Sequence, residues 1–189
     1  TTMKKVLVLV LALVLISATA LAAEIGFLPP AMTSPFYAAC IEGAEPVVNH
    51  RTWIFCGDGD LEEGISHEAC SLAGHLKLDR IVLFYDSNNI TIEGPTSLAL
   101  SDDPKKRFQA YNWHVLEIDG HDFDQIDRAI RRAMRVTGKP VVIICKTNIG
   151  KGSPNKQDTA ASHGAPLGEE EVRLTKRALG MPEEQLFYV

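Results

Sequence analysis

Trp53 to Gly94 has the sequence WIFCGDGDLEEGISHEACSLAGHLKLDRIVLFYDSNNITIEG. The apolar runs near its start and in its second half predict two buried strands, and the amphipathic stretch between them predicts a helix over residues 61–77. Glycines on both sides of Asp58 mark a tight turn after the first strand, and Asn88 follows the second strand. The sequence therefore places an acid and an amide at the ends of two neighbouring strands.

Strands and helices continue to alternate along the rest of the chain. The second strand covers residues 80–86, and further strands are predicted at residues 113–118 and 140–147, with helices at residues 104–111, 122–136 and 168–179. In the helix at 122–136, the residues expected to face the core are Phe123, Ile126, Ala129, Ile130 and Ala133. This alternation predicts an α/β fold, a parallel sheet with helices on both faces. In such sheets ligands bind beyond the carboxyl ends of the strands.

Composition limits the classes of function. The chain has 189 residues, 46% of them hydrophobic, which is enough for about one domain with a core once the apolar N-terminus is set aside. A net charge of −5 argues against nucleic acid as a partner. The four cysteines include no CxxC pair, which argues against a zinc site. Cys56 and Cys145 lie in apolar runs and are expected to be core residues.

The N-terminal residues have a different character. Residues 1–23 include MKKVLVLVLALVLISATALAA, whose lysines, apolar run and small residues predict a secretory signal, with an uncleaved membrane anchor as the alternative. Any membrane contact is expected only through this segment. Residues 24–50 begin EIGFLPPAMTSPFYAAC, a strand, loop and helix start that resembles the mature N-terminus of periplasmic sugar-binding proteins. We therefore expect three segments, 1–23, 24–50 and an α/β domain over 51–189.

The polar strand ends suit a metal-bound diphosphate. Gly57 and Gly59 let a ligand approach the backbone closely, and the start of the following helix favours a phosphate. Asp58 would repel a bare phosphate but not one that carries Mg²⁺, which prefers about six oxygen ligands. Asn88 can supply an amide oxygen and Ile90 a carbonyl oxygen. Each turn alone is compatible with an ordinary connection, but the two together across one βαβ unit favour a site.

A histidine in the last loop is a further candidate. His163 lies in a Ser-His-Gly turn and could donate to a phosphate or a substrate oxygen, although a loop histidine is often only exposed. Lys146 and Lys151 flank the same loop and could contact an anion. His67, on the predicted helix, is expected to pack or to face solvent.

Several longer blocks carry a family resemblance. The stretch GDGDLEEGISHEACSLAGHLKLDRIVLFYDSNNITIEG, together with RFQAYNWHVLEIDGHD, CKTNIGKGSPNK and SHGAPLG, resembles the diphosphate-binding domain of transketolase, a thiamine diphosphate enzyme. The similarity runs from about Trp53 to Leu179. It implies transfer of a two-carbon ketol unit between sugar phosphates in the pentose phosphate pathway, and a cytoplasmic location that conflicts with the signal-like segment.

The resemblance also implies roles for particular residues. Asp58, Asn88 and the Ile90 carbonyl would hold Mg²⁺, for which Ca²⁺ can substitute. The cofactor diphosphate would lie against Gly57, Gly59 and Asn88. His163 matches a family histidine that reaches both the cofactor and the sugar substrate, and is the expected catalytic residue. Glu63 matches a glutamate of the dimer interface.

The flanks differ from the family pattern. The family carries further cofactor-binding residues before this stretch and a second, pyrimidine-binding domain after it. We therefore expect a homodimer or a separate pyrimidine-domain subunit as partner, and no transketolase turnover from this chain alone. The alternatives are an exported sugar-binding protein fragment and a non-functional fusion fragment.

Overall fold

The computed structural model describes residues 50–185, so the signal-like segment and residues 24–49 lie outside the described residues. In chain order, the described residues form β1 (Thr52–Cys56), α1 (Asp58–Glu62), α2 (Gly64–His75), β2 (Ile81–Ser87), β3 (Ile90–Thr91), β4 (Gly94–Pro95), α3 (Pro104–Ala110), β5 (His114–Asp119), α4 (Phe123–Ala133), β6 (Val141–Lys146) and α5 (Glu169–Ala178).

The main sheet has the order β1-β2-β6-β5, and every neighbouring pair is parallel. The short strands β3 and β4 pair antiparallel in a separate hairpin that follows β2. The strands arise from the continuous apolar runs, and β2 and β6 inside the sheet bury residues of both orientations. The first strand was predicted to be buried as well, but β1 lies at the edge of the described sheet and its Phe55 is 78% exposed. The predicted α/β class with a parallel sheet is therefore confirmed.

Helices cover both faces of this sheet because the direction in which successive strands are added to it reverses after β5. The connections from β1 to β2 and from β2 to β5 advance in one direction, whereas the connection from β5 to β6 returns. Right-handed crossovers then place the helices of the first two connections on one face and α4 on the other. The core accordingly has two halves. One contains Leu61, Cys70, Ala73, Leu83, Tyr85, Phe108, Trp113, Val142 and Ile144; the other contains Val82, Leu116, Ile118, Ala129, Ala133, Val141 and Ile143.

Local sequence signals fix several helix ends and contacts. The side chain of Asp103 accepts a hydrogen bond at the start of α3, and Asp122 does the same for α4, as N-cap residues do. Gly74 allows a close approach between α2 and the end of α3, since a Cβ there would overlap the carbonyl oxygen of Tyr111. Trp113 donates from its indole nitrogen to the Cys70 carbonyl at 2.7 Å, which ties β5 to α2.

Two details of the predicted helices are wrong. The helix expected over residues 61–77 is divided into α1 and α2, because Glu63 has an extended backbone (φ −66°, ψ 134°). Phe123 was expected in the core but is 86% exposed, since it is the first residue of α4. The sheet-facing contacts of α4 come instead from Ala129 and Ala133, one and two turns further on.

The described cysteines are free thiols, as expected of core residues. Burial raises the pKa of Cys56 to about 12 and the pKa of both Cys70 and Cys145 to about 11. These thiols therefore stay protonated near neutral pH and are poor nucleophiles and metal ligands.

Candidate functional site

Asp58 lies one residue after β1, as the first residue of α1, and is only 5% exposed. Three donors surround its carboxylate. The Tyr85 hydroxyl donates to Oδ1 at 2.5 Å, and the backbone N–H groups of Asn88 and Asn89 donate to Oδ2 at 3.0 and 2.8 Å. These bonds join the end of β1 to the turn after β2. The structure therefore brings Asp58 to the backbone of Asn88, at the two neighbouring strand ends that the sequence indicated.

The turn after β2 presents a second set of oxygens. The side-chain oxygen of Asn88 accepts a hydrogen bond from the Ile90 backbone N–H at 3.0 Å, which fixes the orientation of the amide. Asn89 adopts a left-handed backbone (φ 63°), a conformation that asparagine tolerates better than most residues. Asn88 and Ile90 are both half-buried beside Asp58.

The Asp58 carboxylate has no ion-pair partner among the described residues. Lys146 lines the same pocket as Asp58 and Tyr85, but its ammonium donates to Ser87 Oγ at 3.1 Å instead. Burial of a carboxylate costs free energy, and hydrogen bonds without a cation compensate only part of that cost. Within residues 50–185 no three His, Cys, Asp or Glu side chains form a metal cluster. A metal at Asp58 would therefore need neutral protein oxygens and ligand oxygens, the kind of set that Mg²⁺ takes with phosphates.

Open space lies beside the two glycines of the turn. A Cβ on Gly59 would meet no atom within 4 Å, and one on Gly57 would come no closer than 3.9 Å to Asp60. Neither glycine has a positive φ, so neither packing nor backbone conformation within the described chain requires glycine here. The helix that follows is weaker than expected, because α1 has only five residues and its dipole is correspondingly small. The open space is compatible with close approach of a ligand to the backbone.

His163 lies in the loop between β6 and α5. The residue is exposed, and its backbone N–H donates to Ala160 at 3.0 Å, while its ring has no hydrogen-bond partner among the described residues. It does not line the pocket beside Asp58. The geometry of this loop neither joins His163 to the Asp58 cluster nor gives the ring another role.

The same loop is held by a carboxylate that sequence reasoning missed. Glu171 of α5 is 8% exposed and accepts hydrogen bonds from the Ser153 hydroxyl and from the backbone and side-chain N–H groups of Asn155. The bonds from Ser153 and then Asn155 hold the pKa of Glu171 below its ordinary value. No local sequence pattern indicates these contacts, because the partners of Glu171 lie 16 and 18 residues away along the chain.

His67 and Lys151 lie away from the cluster. Arg107 donates to His67 Nε2 at 3.1 Å, and the other ring nitrogen lies 3.0 Å from the Tyr111 hydroxyl, so His67 packs between helices as expected. Lys151 and Glu63 are exposed. The polar groups that converge at the sheet edge are those of Asp58, Tyr85, Ser87, Asn88, Asn89 and Lys146.

These polar groups meet at the ends of β2 and β6, where the order of the strands reverses. β2 and β6 are neighbours, yet the crossovers that follow β2 and precede β6 cover opposite faces. The carboxyl ends of such strands form the crevice in which α/β proteins bind ligands. Fold and site together define an α/β domain of the class that binds ligands at the carboxyl edge of a parallel sheet, with polar groups at that edge.

Comparison with known proteins identifies the family. Residues 29–189 match the family described as "Transketolase, thiamine diphosphate binding domain". Over 134 residues the chain is 57% identical to the transketolase of Buchnera aphidicola subsp. Acyrthosiphon pisum, covering 70% of this chain and 20% of that protein. The crystal structure of transketolase from Campylobacter jejuni is 47% identical, with a TM-score of 0.71 over 75% of this chain and 22% of that one. Transketolase of Pichia stipitis in complex with sedoheptulose 7-phosphate is 40% identical, with a TM-score of 0.72 over 78% and 22%.

The chain therefore belongs to the transketolase family, in its thiamine diphosphate-binding domain. It spans about a fifth of the length of the curated relatives it matches. The transketolase resemblance inferred from the sequence blocks is confirmed.

The other N-terminal resemblance has no such support. The family match begins at residue 29, inside the segment compared with periplasmic sugar-binding proteins, and the relatives named above are transketolases. Neither the signal-peptide hypothesis nor the sugar-binding alternative gains support from them. Within residues 50–185, none of the helices has the length and apolar character needed to cross a membrane.

Proposed function

We propose that this chain binds thiamine diphosphate together with Mg²⁺ at the carboxyl edge of β1 and β2. The observation that carries the proposal is the buried Asp58 carboxylate, which lacks a cation and is bonded to the turn that presents Asn88 and Ile90. Family membership supplies the cofactor. The metal is our inference from the chemistry of the oxygens.

In this proposal Asp58, the Asn88 side-chain oxygen and the Ile90 carbonyl hold the metal, and Ca²⁺ can take its place. One charged and two neutral oxygens leave room for diphosphate oxygens and water in a coordination shell of about six. Asn88 can also donate from its amide nitrogen to the diphosphate. Gly57 and Gly59 leave the space in which a diphosphate can approach the backbone.

His163 is the proposed catalytic residue and reaches toward the cofactor and the sugar substrate. Support for this role comes from the family match and from its exposed, unpartnered ring among the described residues, which leaves both nitrogens available. A neutral imidazole can accept a proton at one nitrogen and donate one at the other, so it suits hydrogen bonds to phosphate or sugar oxygens.

The reaction we propose is ketol transfer between sugar phosphates, carried out by an assembly to which this domain contributes. Thiamine diphosphate, when bound, supplies the carbanion chemistry of such transfers. The Pichia stipitis relative is described in complex with sedoheptulose 7-phosphate, which supports sugar phosphates as the substrate class. A homodimer or a pyrimidine-domain subunit is the proposed partner. The cytoplasmic location, the segment boundaries and the lack of turnover by this chain alone stay predictions.

Calorimetry tests the cofactor and metal together. Thiamine diphosphate is titrated into the purified chain with Mg²⁺ and with EDTA, in the wild type and in Asp58→Asn and Asn88→Ala. We expect binding that depends on Mg²⁺ in the wild type and a loss of that dependence in both variants. Lys139→Ala serves as the control, since Lys139 is exposed just before β6, at the opposite edge of the sheet from Asp58. Equal binding with and without Mg²⁺ in the wild type would reject the metal.

A further inference from the structure

Glu171 is a buried carboxylate that the proposed function does not use. It lies in the first turn of α5 and is 8% exposed. Oε1 accepts hydrogen bonds from the Ser153 hydroxyl and from the Asn155 backbone N–H, the latter at 2.9 Å. Oε2 accepts from the side-chain amide of Asn155 at 2.9 Å. These bonds fasten α5 to the first part of the loop that carries His163.

Lys156 extends this contact along the loop. Its backbone N–H donates to Ser153 Oγ at 3.1 Å, the same oxygen whose hydrogen is donated to Glu171. Its carbonyl oxygen accepts from the Ser162 hydroxyl at 3.0 Å. Ser162 directly precedes His163 in the chain. A continuous series of hydrogen bonds therefore runs from Glu171 to the residue before His163.

The second part of the loop is closed by the same lysine. The Lys156 ammonium donates to the Leu167 carbonyl at 2.8 Å, so the chain between these two residues forms a closed turn that contains His163. Because the His163 ring has no hydrogen-bond partner among the described residues, the backbone of this turn sets the position of the ring. Loss of the Glu171 carboxylate would remove the acceptor that orients Ser153 and would release the first part of the loop.

We propose that Glu171 is a positioning residue, which holds the loop over residues 148–168 so that His163 stays where it can contact the cofactor. The inference rests on the proposed function, in which His163 reaches toward thiamine diphosphate. Without the carboxylate, the loop would occupy several arrangements, and only some of them would place the ring for binding. The apparent affinity then falls by the fraction of chains that hold the competent arrangement.

A double-mutant cycle tests whether Glu171 acts through His163. Calorimetry in Mg²⁺ measures the dissociation constant of thiamine diphosphate for the wild-type chain, Glu171→Ala, His163→Ala and the variant with both changes. Glu169→Ala is the matched control, because Glu169 is an exposed glutamate in the same helical turn. Hydrogen exchange of backbone amides, resolved by mass spectrometry, reports on the loop in each protein without ligand.

We expect His163→Ala to weaken binding about tenfold, as loss of a hydrogen bond to a charged group does. Glu171→Ala should weaken binding about three- to tenfold. The double variant should bind no more weakly than His163→Ala, because the carboxylate acts only through the ring. In Glu171→Ala the amides of residues 153–163 should exchange about tenfold faster, while those of β2 and β6 keep the wild-type rate. Glu169→Ala should match the wild type in both measurements.

The outcomes separate this inference from the proposed function. Additive losses in the cycle, or unchanged exchange in the loop of Glu171→Ala, overturn the positioning role while cofactor binding by the wild type stands. Unaltered binding in His163→Ala overturns the role of His163 and the positioning role with it. A wild-type chain that binds no thiamine diphosphate overturns the proposed function itself, and loop exchange alone then decides whether Glu171 holds the loop.

A second variant covers the case in which Glu171→Ala does not fold. In Glu171→Gln the amide oxygen can still accept from the Ser153 hydroxyl, but the amide nitrogen cannot accept from the Asn155 side chain. Its loss of affinity and its loop exchange should therefore lie between those of the wild type and Glu171→Ala. Wild-type values for both measurements in Glu171→Gln would overturn the proposal in that case.

Discussion

The hydrogen bonds of Asp58 predict that its two simplest variants differ sharply in stability, even without a ligand. In Asp58→Ala the Tyr85 hydroxyl loses its acceptor in a buried place and the Asn88 N–H in a half-buried one, whereas Asn89 is exposed and can bond to water. Each buried donor left without an acceptor costs about 1–3 kcal/mol. Removal of a buried charge without a cation recovers part of this sum. We expect Asp58→Ala to lose about 2–4 kcal/mol of unfolding free energy.

Asp58→Asn should lose about 1 kcal/mol or less. Its amide oxygen can accept from the N–H groups of Asn88 and Asn89, and its amide nitrogen can donate to the Tyr85 oxygen once that hydroxyl rotates. The two backbone bonds therefore stay paired while the negative charge is lost, and only the Tyr85 O–H hydrogen needs a new acceptor. Asp58→Asn is therefore the variant that separates metal binding from folding.

Urea unfolding in EDTA, followed by tryptophan fluorescence, measures both effects, because Trp113 is buried against Cys70 in the same half of the core. The free energies of the wild type and the two variants are compared at neutral pH. Equal losses in Asp58→Ala and Asp58→Asn would refute the reasoning, since they would mean that the charge of Asp58, and not its hydrogen bonds, stabilises the strand ends.

Three further predictions concern the loop, the core and the candidate catalytic residue. The Glu171 carboxylate, whose pKa is lowered by the bonds from Ser153 and Asn155, stabilises the fold above its ordinary pKa. The stability difference between wild type and Glu171→Gln should therefore be present at pH 7 and disappear as pH falls below about 4, which urea unfolding across pH checks. Gly74→Ala should lose about 3 kcal/mol or more in the same assay, because its Cβ would overlap Tyr111; a smaller loss would mean that the helices can separate. His163→Ala should leave thermal unfolding unchanged, since the ring has no hydrogen-bond partner among the described residues. A clear drop in melting temperature would mean that the ring makes contacts that stabilise the fold.

The strands could be predicted from the sequence because their signal is local. Each buried strand is an unbroken apolar run bounded by polar or glycine residues, as in PVVIICKT at residues 140–147. The meeting of Asp58 and Asn88 was also predictable, because parallel strands bring their carboxyl ends to one edge. The predicted helix was wrong where the apolar periodicity continued past a break in the helical backbone. The helical pattern runs through Glu63, although the chain is extended there.

The contacts within the site depend on pairs of residues distant in sequence, and most of them could not be predicted. The bond between Tyr85 and Asp58 joins residues 27 positions apart. A weak signal existed, because a tyrosine inside an apolar strand needs a partner for its hydroxyl and an acid ends the neighbouring strand. Glu171 gave no such signal, since it lies among other glutamates on a polar helix.

A crystal structure of the chain grown with thiamine diphosphate and Mn²⁺ tests the central claim most directly. Mn²⁺ shares the oxygen preference of Mg²⁺ and scatters anomalously. The account predicts an anomalous peak bonded to one Asp58 oxygen, the Asn88 amide oxygen and the Ile90 carbonyl, at about the 2.1 Å typical of Mg²⁺. Diphosphate oxygens would complete the shell. A bound cofactor whose metal peak lies away from Asp58, or binding with no metal peak at all, would contradict it.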